Sequence, residues 1–200
     1  IIDEINRGNI PKILGELITL IEKDKRNPQN SLKLTYSKDS FFVPENLIII
    51  GTMNTADKSL MQMDDALKRR FVFEELMPDT KLLENQLREE NKVANASDYS
   101  GILKRVNEKI IGKGNEDENV RKEKMKQFRD RQIGHSYFWN IGKEGNPDDD
   151  LQKIIKYDVI PLLQDYFYGD YTEIRKILSK KDNEKDVSII NSDNRPTNLV

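Results

Sequence analysis

Two short apolar strings that each run straight into polar residues constrain this chain more than any other feature. Ile1-Ile2 is followed at once by Asp3-Glu4, and Leu47-Ile48-Ile49-Ile50 by Gly51-Thr52-Met53-Asn54. A continuous apolar run with no alternation predicts a strand covered on both faces, as in the middle of a parallel sheet. Carboxylates at the end of such a strand are costly unless something pairs with them, and metal-bound phosphate is one good partner. If the two strands are parallel neighbours, Asp3, Glu4 and Asn54 meet beyond their carboxyl ends. Open α/β sheets bind ligands in that crevice.

The pattern around these strings separates the chain into two halves. Residues 1 to about 78 alternate apolar runs with helical spacing, which predicts an α/β arrangement. Ile10, Ile13, Leu14, Leu17, Ile18 and Ile21 recur at helical intervals, with Asn9 placed to cap and Pro11 in the first turn. Leu32, Leu34 and Tyr36 alternate with polar residues and Phe41-Phe42-Val43 follow, which predicts a β-hairpin. Residues 59–69 read as a short helix and Phe71-Val72-Phe73 as a further strand. From about residue 79 the pattern is helical. One helix is marked by Tyr99, Ile102, Leu103, Val106 and Ile110, and a longer one by Leu151 to Phe167, which Pro161 must kink or divide. Ile174, Ile177 and Leu178 mark a last short helix; Gly112 to Asn119 reads as a polar loop. The segment 181–200 is a polar tail with a short strand at Val187 to Ile190.

Composition removes several chemistries. With no cysteine, thiol nucleophiles, zinc-thiolate sites and disulfides are all excluded, which fits a reducing cytoplasm. A single histidine makes any triad or multi-histidine metal site depend on His135 alone. The 33 basic and 35 acidic residues leave a net charge of −2, unlike a protein that coats nucleic acid. No apolar run approaches the roughly 18 residues of a membrane helix. Two hundred residues are enough for a real core, since a chain of this size buries roughly 70% of its extended surface. The chain opens without Met on residues that read as the end of a strand, as a piece of a longer protein would.

Each candidate residue has a functional and a bland reading. An Asp at the end of a strand holds Mg²⁺ in phosphoryl-transfer enzymes of the P-loop class, and a neighbouring Glu polarises the attacking water. The same acids could simply cap a strand end at a turn. Asn54 could contact a terminal phosphate or orient water through its amide; Asp57 fits the capping of the following helix. Arg69 and Arg70 close a helix, where positive charge is favoured by the dipole, and that accounts for one of them. The functional alternative is an arginine finger reaching a neighbouring subunit's nucleotide.

In this order, these elements resemble the second half of an AAA+ nucleotidase core, and more closely the McrB family, the GTP-dependent motor of modification-dependent restriction systems. The matching strings are Ile1-Ile2-Asp3-Glu4-Ile5-Asn6-Arg7, Gly51-Thr52-Met53-Asn54-Thr55-Ala56-Asp57-Lys58-Ser59-Leu60 and Asp65-Ala66-Leu67-Lys68-Arg69-Arg70-Phe71. Gln132-Ile133-Gly134-His135-Ser136-Tyr137-Phe138 is similar to a lid segment of the family, and Ile160 to Phe167 to its C-terminal helix. The resemblance implies the C-terminal half of an AAA+ core at 1–78, a partial parallel sheet with a β-hairpin insertion, followed by an α-helical lid at 79–180. It implies Asp3 as the Mg²⁺-holding and Glu4 as the catalytic member of a Walker B pair, with Asn54 as sensor 1. Arg69 and Arg70 fall in the finger region, Asn6 and Arg7 near a subunit interface. Asp57 belongs to a signature linked to hydrolysis stimulated by the nuclease partner, and His135 falls near the nucleotide or the lid–core junction. Lys58 and Lys68 stand where the family usually has Arg; a lysine at 58 keeps the charge but loses the planar fork.

By the same resemblance the cofactors are Mg²⁺ and GTP, with ATP as the alternative. The partners are further copies in a ring, expected to be a hexamer, a McrC-like nuclease subunit, and DNA bound through an upstream domain. No Gly-x-x-x-x-Gly-Lys-[Ser/Thr] phosphate loop occurs in these residues, so the 200 residues alone are expected to be inactive. Two other readings stay open: an AAA+ ATPase of the MoxR chaperone type, and an assembly module without turnover.

Overall fold

A computed structural model describes residues 1–54, 65–113, 117–182 and 185–188. The chain divides into two compact units, Ile1–Glu75 and Leu76–Val200.

A parallel pairing organises the first unit. The Ile2 amide donates to the Ile50 carbonyl at 2.8 Å, Thr52 donates back to Ile2 at 3.0 Å, and Ile5 donates to Thr52 at 2.8 Å. This forms a parallel bridge of Ile2 with Gly51. The chain then turns through a 3₁₀ segment, Ile5–Arg7. A Cβ at position 51 would stand 3.0 Å from Ile5 Cδ1, so glycine lets that turn close against the strand. Helix α1, Ile10–Leu14, starts as expected: Asn9 accepts from the Lys12 amide at 3.1 Å and Pro11 sits in the first turn. Ile5, Ile10 and Leu67 form a small core against Leu14, Ile18 and Phe71. Leu67 belongs to α2, Asp65–Lys68, the end of the helix expected at 59–69; its earlier part falls outside the described residues. The hairpin forms from β1, Leu32–Lys33, and β2, Ser40–Phe41, antiparallel with Leu32 opposite Phe41.

Three expectations for this unit need correction. The helix from Ile10 does not run to Ile21: Gly15 takes φ +52° and the next turn is 3₁₀ over Gly15–Thr19. Ile13 is left exposed. Leu47–Ile50 is not a covered central strand; Ile48 is 78% exposed. Among the described residues only Ile2 bridges the end of this run, and within it Ile49 alone is half-buried. Phe71-Val72-Phe73 likewise forms no strand and Val72 is exposed.

The second unit is helical. It comprises α3 (Thr80–Asn85), α4 (Ala96–Ile110), α5 (Glu118–Phe128), α6 (Pro147–Ile154), α7 (Ile160–Tyr166) and α8 (Tyr171–Leu178). A hairpin of β3 (Ser179–Asp182) and β4 (Lys185–Ser188) follows. The expected strand at 187–190 is thus described only to Ser188. The core of this unit is one apolar cluster in which Leu83, Leu103, Val106, Ile110, Ile133, Phe138, Leu151, Ile155, Leu163 and Ile174 meet. The long helical stretch around Pro161 is divided, as expected. A π-helical turn, Ile155–Val159, separates α6 from α7, and Pro161 falls in the first turn of α7. Val159 and Ile160 keep right-handed helical angles, so Pro161 follows a helical turn, and the wider π turn before it accommodates a ring that has no N–H to give that turn.

Helices α3 and α5 arise without an expectation from the sequence. Part of the polar stretch expected as a loop at 112–119 is the start of α5, capped by Asp117, which accepts from Asn119 and Val120.

One buried amide ties the helical core to a loop. Asn107 on α4 is 4% exposed; its Nδ2 donates to the Ile133 carbonyl at 2.9 Å and its Oδ1 accepts from the Ile133 amide at 2.7 Å. Removing this side chain strands two buried backbone groups, each worth about 1–3 kcal/mol when left unpaired. Asn107→Ala is expected to lower the stability of the helical unit by about 2–4 kcal/mol in chemical unfolding, and Asn107→Leu to give no recovery despite its better match in volume.

Candidate functional site

The parallel bridge brings the expected acidic and amide residues to one place. Asp3 and Glu4 come directly after Ile2, and Thr52 to Asn54 directly after Gly51. The Thr52 hydroxyl joins the two ends: it accepts from the Glu4 amide at 3.0 Å and donates to the Asp3 carboxylate. Sequence reasoning assigns Thr52 no role of its own. A hydroxyl two residues before the amide is its only signal there.

Glu4 has a left-handed backbone, φ 51° and ψ 47°. This costs a non-glycine residue roughly 1–2 kcal/mol and marks a position held by its surroundings. The carbonyl of Glu4 accepts from the Arg7 amide at 2.9 Å, closing the 3₁₀ turn. The Arg7 guanidinium lies 3.1 Å from the Glu4 carboxylate, and both side chains are open to solvent. Asn6, between them, is buried; its Nδ2 donates to the Asn54 carbonyl at 3.4 Å. Asp3, Glu4, Asn6, Arg7 and Asn54 therefore gather at the carboxyl ends of the paired segments. Asp57 and Lys58 lie outside the described residues.

Arg69 and Arg70 separate clearly. Arg70 is largely buried and its guanidinium pairs with the Glu22 carboxylate. Arg69 is exposed. Both line an open recess with Glu22, Lys23 and Asp24. The two residues thus have different surroundings despite adjacent positions.

His135 belongs to the helical unit, in a 3₁₀ turn over His135–Phe138. Its Nδ1 accepts from the Asp79 amide at 3.1 Å, which places the imidazole proton on Nε2 when the ring is neutral. Trp139 is half-buried, with its ring tilted 53° against the histidine and 6.0 Å away. Asn91 Nδ2 donates to the carbonyls of Trp139 and Ile141, both at 2.9 Å, so Asn91 and Asn107 hold the backbone on either side of the histidine turn. Asp79 caps α3, accepting from Lys81 and Leu82 at 2.9 Å. Those backbone bonds, chiefly that from Leu82, hold its carboxyl below the usual aspartate range.

Among the described residues no three His, Cys, Asp or Glu side chains group as a metal cage, and no helix is long and apolar enough to cross a membrane.

Comparison with known proteins covers both units. The AAA domain family of the dynein-related subfamily matches residues 1–71, and the alpha-helical lid domain of McrB matches residues 98–175. The type IV methyl-directed restriction enzyme EcoKMcrB subunit of Escherichia coli (strain K12) is 40% identical over 187 residues, covering 90% of this chain and 39% of that protein. The type II restriction enzyme BsuMI component YdiS of Bacillus subtilis (strain 168) is 30% identical over 137 residues, covering 58% of this chain and 39% of that protein. The chain thus spans well under half the length of these two relatives.

The hydroxyl bridge and the helix cap each give a measurable outcome. Thr52→Val removes the hydroxyl shared by Glu4 and Asp3; amide exchange at Glu4 is expected to quicken, while Thr52→Ser restores it. Asp79 has a lowered folded-state pKa, so its cap stabilises the helical unit above the ordinary aspartate range near about 4 and is lost as pH falls through the lowered value. Unfolding followed across that acid window is expected to show a weaker pH dependence in Asp79→Asn.

Proposed function

The chain belongs to the McrB family of AAA+ proteins, and from that premise we propose that it supplies the Walker B, sensor and lid elements of a nucleotide-hydrolysing motor in a restriction system. The observation that carries this reading is the parallel pairing of Ile2 with Gly51, which gathers Asp3, Glu4 and Asn54 at one end of two segments. In this reading Glu4 polarises the attacking water and Asn54 addresses the terminal phosphate. The donor set suits Mg²⁺, which keeps much of its water shell and takes one or two carboxylates together with substrate phosphates. Asp3 is the carboxylate that would hold it, oriented by Thr52; when bound, the ion neutralises charge on the phosphates.

Of the two arginines, we assign the trans-acting finger to Arg69. Its exposure leaves it able to reach a neighbouring copy, whereas the ion pair of Arg70 with Glu22 gives that residue work inside its own unit. Arg7 and Lys58 are assigned to the interface between copies of a hexameric ring, and Asp57 and His135 to nucleotide binding; Asn6, which the resemblance also puts near that interface, is buried within its own unit. The ring works in the cytoplasm with a McrC-like nuclease, on DNA held by another part of the parent protein. GTP is the proposed substrate. The phosphate loop needed for tight nucleotide binding is not in these 200 residues, so on their own they are proposed not to turn over nucleotide.

Steady-state hydrolysis by the full-length protein, with GTP and ATP compared, tests this. GTP is expected to be preferred, Glu4→Gln to reduce kcat by at least ~100-fold, and Arg69→Ala to reduce it by ~1,000-fold or more. Arg70→Ala is expected to lower the melting temperature as well. Preference for ATP would move the protein to the MoxR-type reading. Absence of turnover with the nuclease partner present would make it an assembly module.

A further inference from the structure

Asn6 combines three features that no other residue near the Asp3–Glu4 turn shares. It is one of the few buried polar side chains among the described residues, at 8% exposure. Its Nδ2 reaches across 48 positions in sequence to the Asn54 carbonyl, at 3.4 Å. Its Oδ1 is buried with no hydrogen-bond partner among the described residues. A carbonyl only accepts, so the end of the amide facing Asn54 must be the nitrogen, and the orientation of the side chain is fixed by chemistry. A buried acceptor left unpaired is unfavourable, so the position tolerates a polar side chain that an apolar one could replace if filling space were its whole contribution.

The bond spans the two ends of the site. Asn6 lies two residues past Glu4 on a closed 3₁₀ turn, and Asn54 lies two residues past Thr52. Thr52 already ties its own strand end to the backbone of Glu4 and the carboxylate of Asp3. With Asn6, there are two side-chain bridges, one at each step away from the parallel bridge. The Thr52 bridge fixes the acids; the Asn6 bridge fixes the peptide that carries the Asn54 side chain.

We propose that Asn6 is a positioning residue that holds the Asn54 backbone, through its Nδ2–O bond, in the orientation that presents the Asn54 amide to the nucleotide's terminal phosphate. This rests on the assignment of Asn54 as the phosphate-sensing residue. Asn6 itself touches neither phosphate nor metal; it acts on turnover through Asn54.

The test uses the full-length protein and two readouts. In nucleotide-free protein, hydrogen–deuterium exchange of the segment 52–54 is expected to rise several-fold in Asn6→Ala, with exchange of α4 in the helical unit unchanged. In steady-state GTP hydrolysis, Asn6→Ala is expected to lower kcat about tenfold with KM within twofold. The same substitution in an Asn54→Ala background is expected to cost less than twofold more, because its effect passes through Asn54. Asn6→Asp keeps the shape and the acceptor but removes the donor, and is expected to match Asn6→Ala; it serves as the second variant should alanine impair folding. Equal losses in the presence and absence of the Asn54 side chain would overturn the proposal, as would unchanged exchange at 52–54. If Glu4→Gln and Asn54→Ala leave hydrolysis intact, the assignment of the site fails instead; if they abolish it while Asn6→Ala and Asn6→Asp do not lower it, only the proposal for Asn6 fails.

Discussion

The parallel contact between Ile2 and Gly51 is the constraint on which the site depends. Three backbone hydrogen bonds, among Ile2, Ile50, Thr52 and Ile5, set the register. A slip by one residue would turn the Asp3 and Thr52 side chains to opposite faces and break the hydroxyl contact between them. Gly51 suits this pairing because Ile5 side-chain atoms stand 3.0–3.4 Å from where a Cβ would be. The left-handed Glu4 is the local cost of reversing the chain immediately after the strand. This small assembly gathers a cluster of unlike polar groups, with carboxylates on one strand end and an amide on the other.

The helical unit solves a different problem. A turn carrying a histidine has to be held against an apolar core without regular secondary structure to satisfy its backbone. Two asparagines do this: Asn107 pairs with both backbone groups of Ile133, and Asn91 takes the carbonyls of Trp139 and Ile141. Apolar anchors sit between these polar ties, with Ile133, Phe138 and Ile141 fully buried. The result fixes the ring position of His135 and, through the Asp79 amide, its neutral tautomer. Elsewhere Arg131 lies over the rings of Phe128 and Tyr166, covering the end of α5.

The parts legible in the sequence are those where one local signal suffices. Asn9 and Pro11 announce the start of α1, the spacing of Tyr99 to Ile110 announces α4, and Pro161 announces the break before α7. The acids and Asn54 come together once both apolar strings are read as parallel neighbours. Elsewhere a short-range pattern competes with something it does not encode. Ile13 and Leu17 carry helical spacing, but the left-handed φ of Gly15 ends the helix between them. Ile48 and Val72 look like strand residues and stay exposed for want of neighbouring strands among the described residues. Helix α5 is illegible because nearly all its residues are charged or polar and only Phe128 is buried. Asn6, Thr52 and Asn107 act through bonds spanning 48, 49 and 26 positions, which no local pattern reports. The difference between Arg69 and Arg70 likewise depends on Glu22, far away in sequence.

Because these residues contain no cysteine, the register of the parallel pairing can be read directly by cross-linking. Asp3 and Thr52 touch through their side chains, so a pair of cysteines at these positions falls within disulfide reach if the strands are parallel in this register. Oxidation of the Asp3→Cys/Thr52→Cys double variant is predicted to give an intramolecular disulfide nearly completely under native conditions, with little formed by Asp3→Cys paired with Met53→Cys. Failure to form the first cross-link in folded protein, or equal yields from both pairs, would contradict the parallel register from which the site is built.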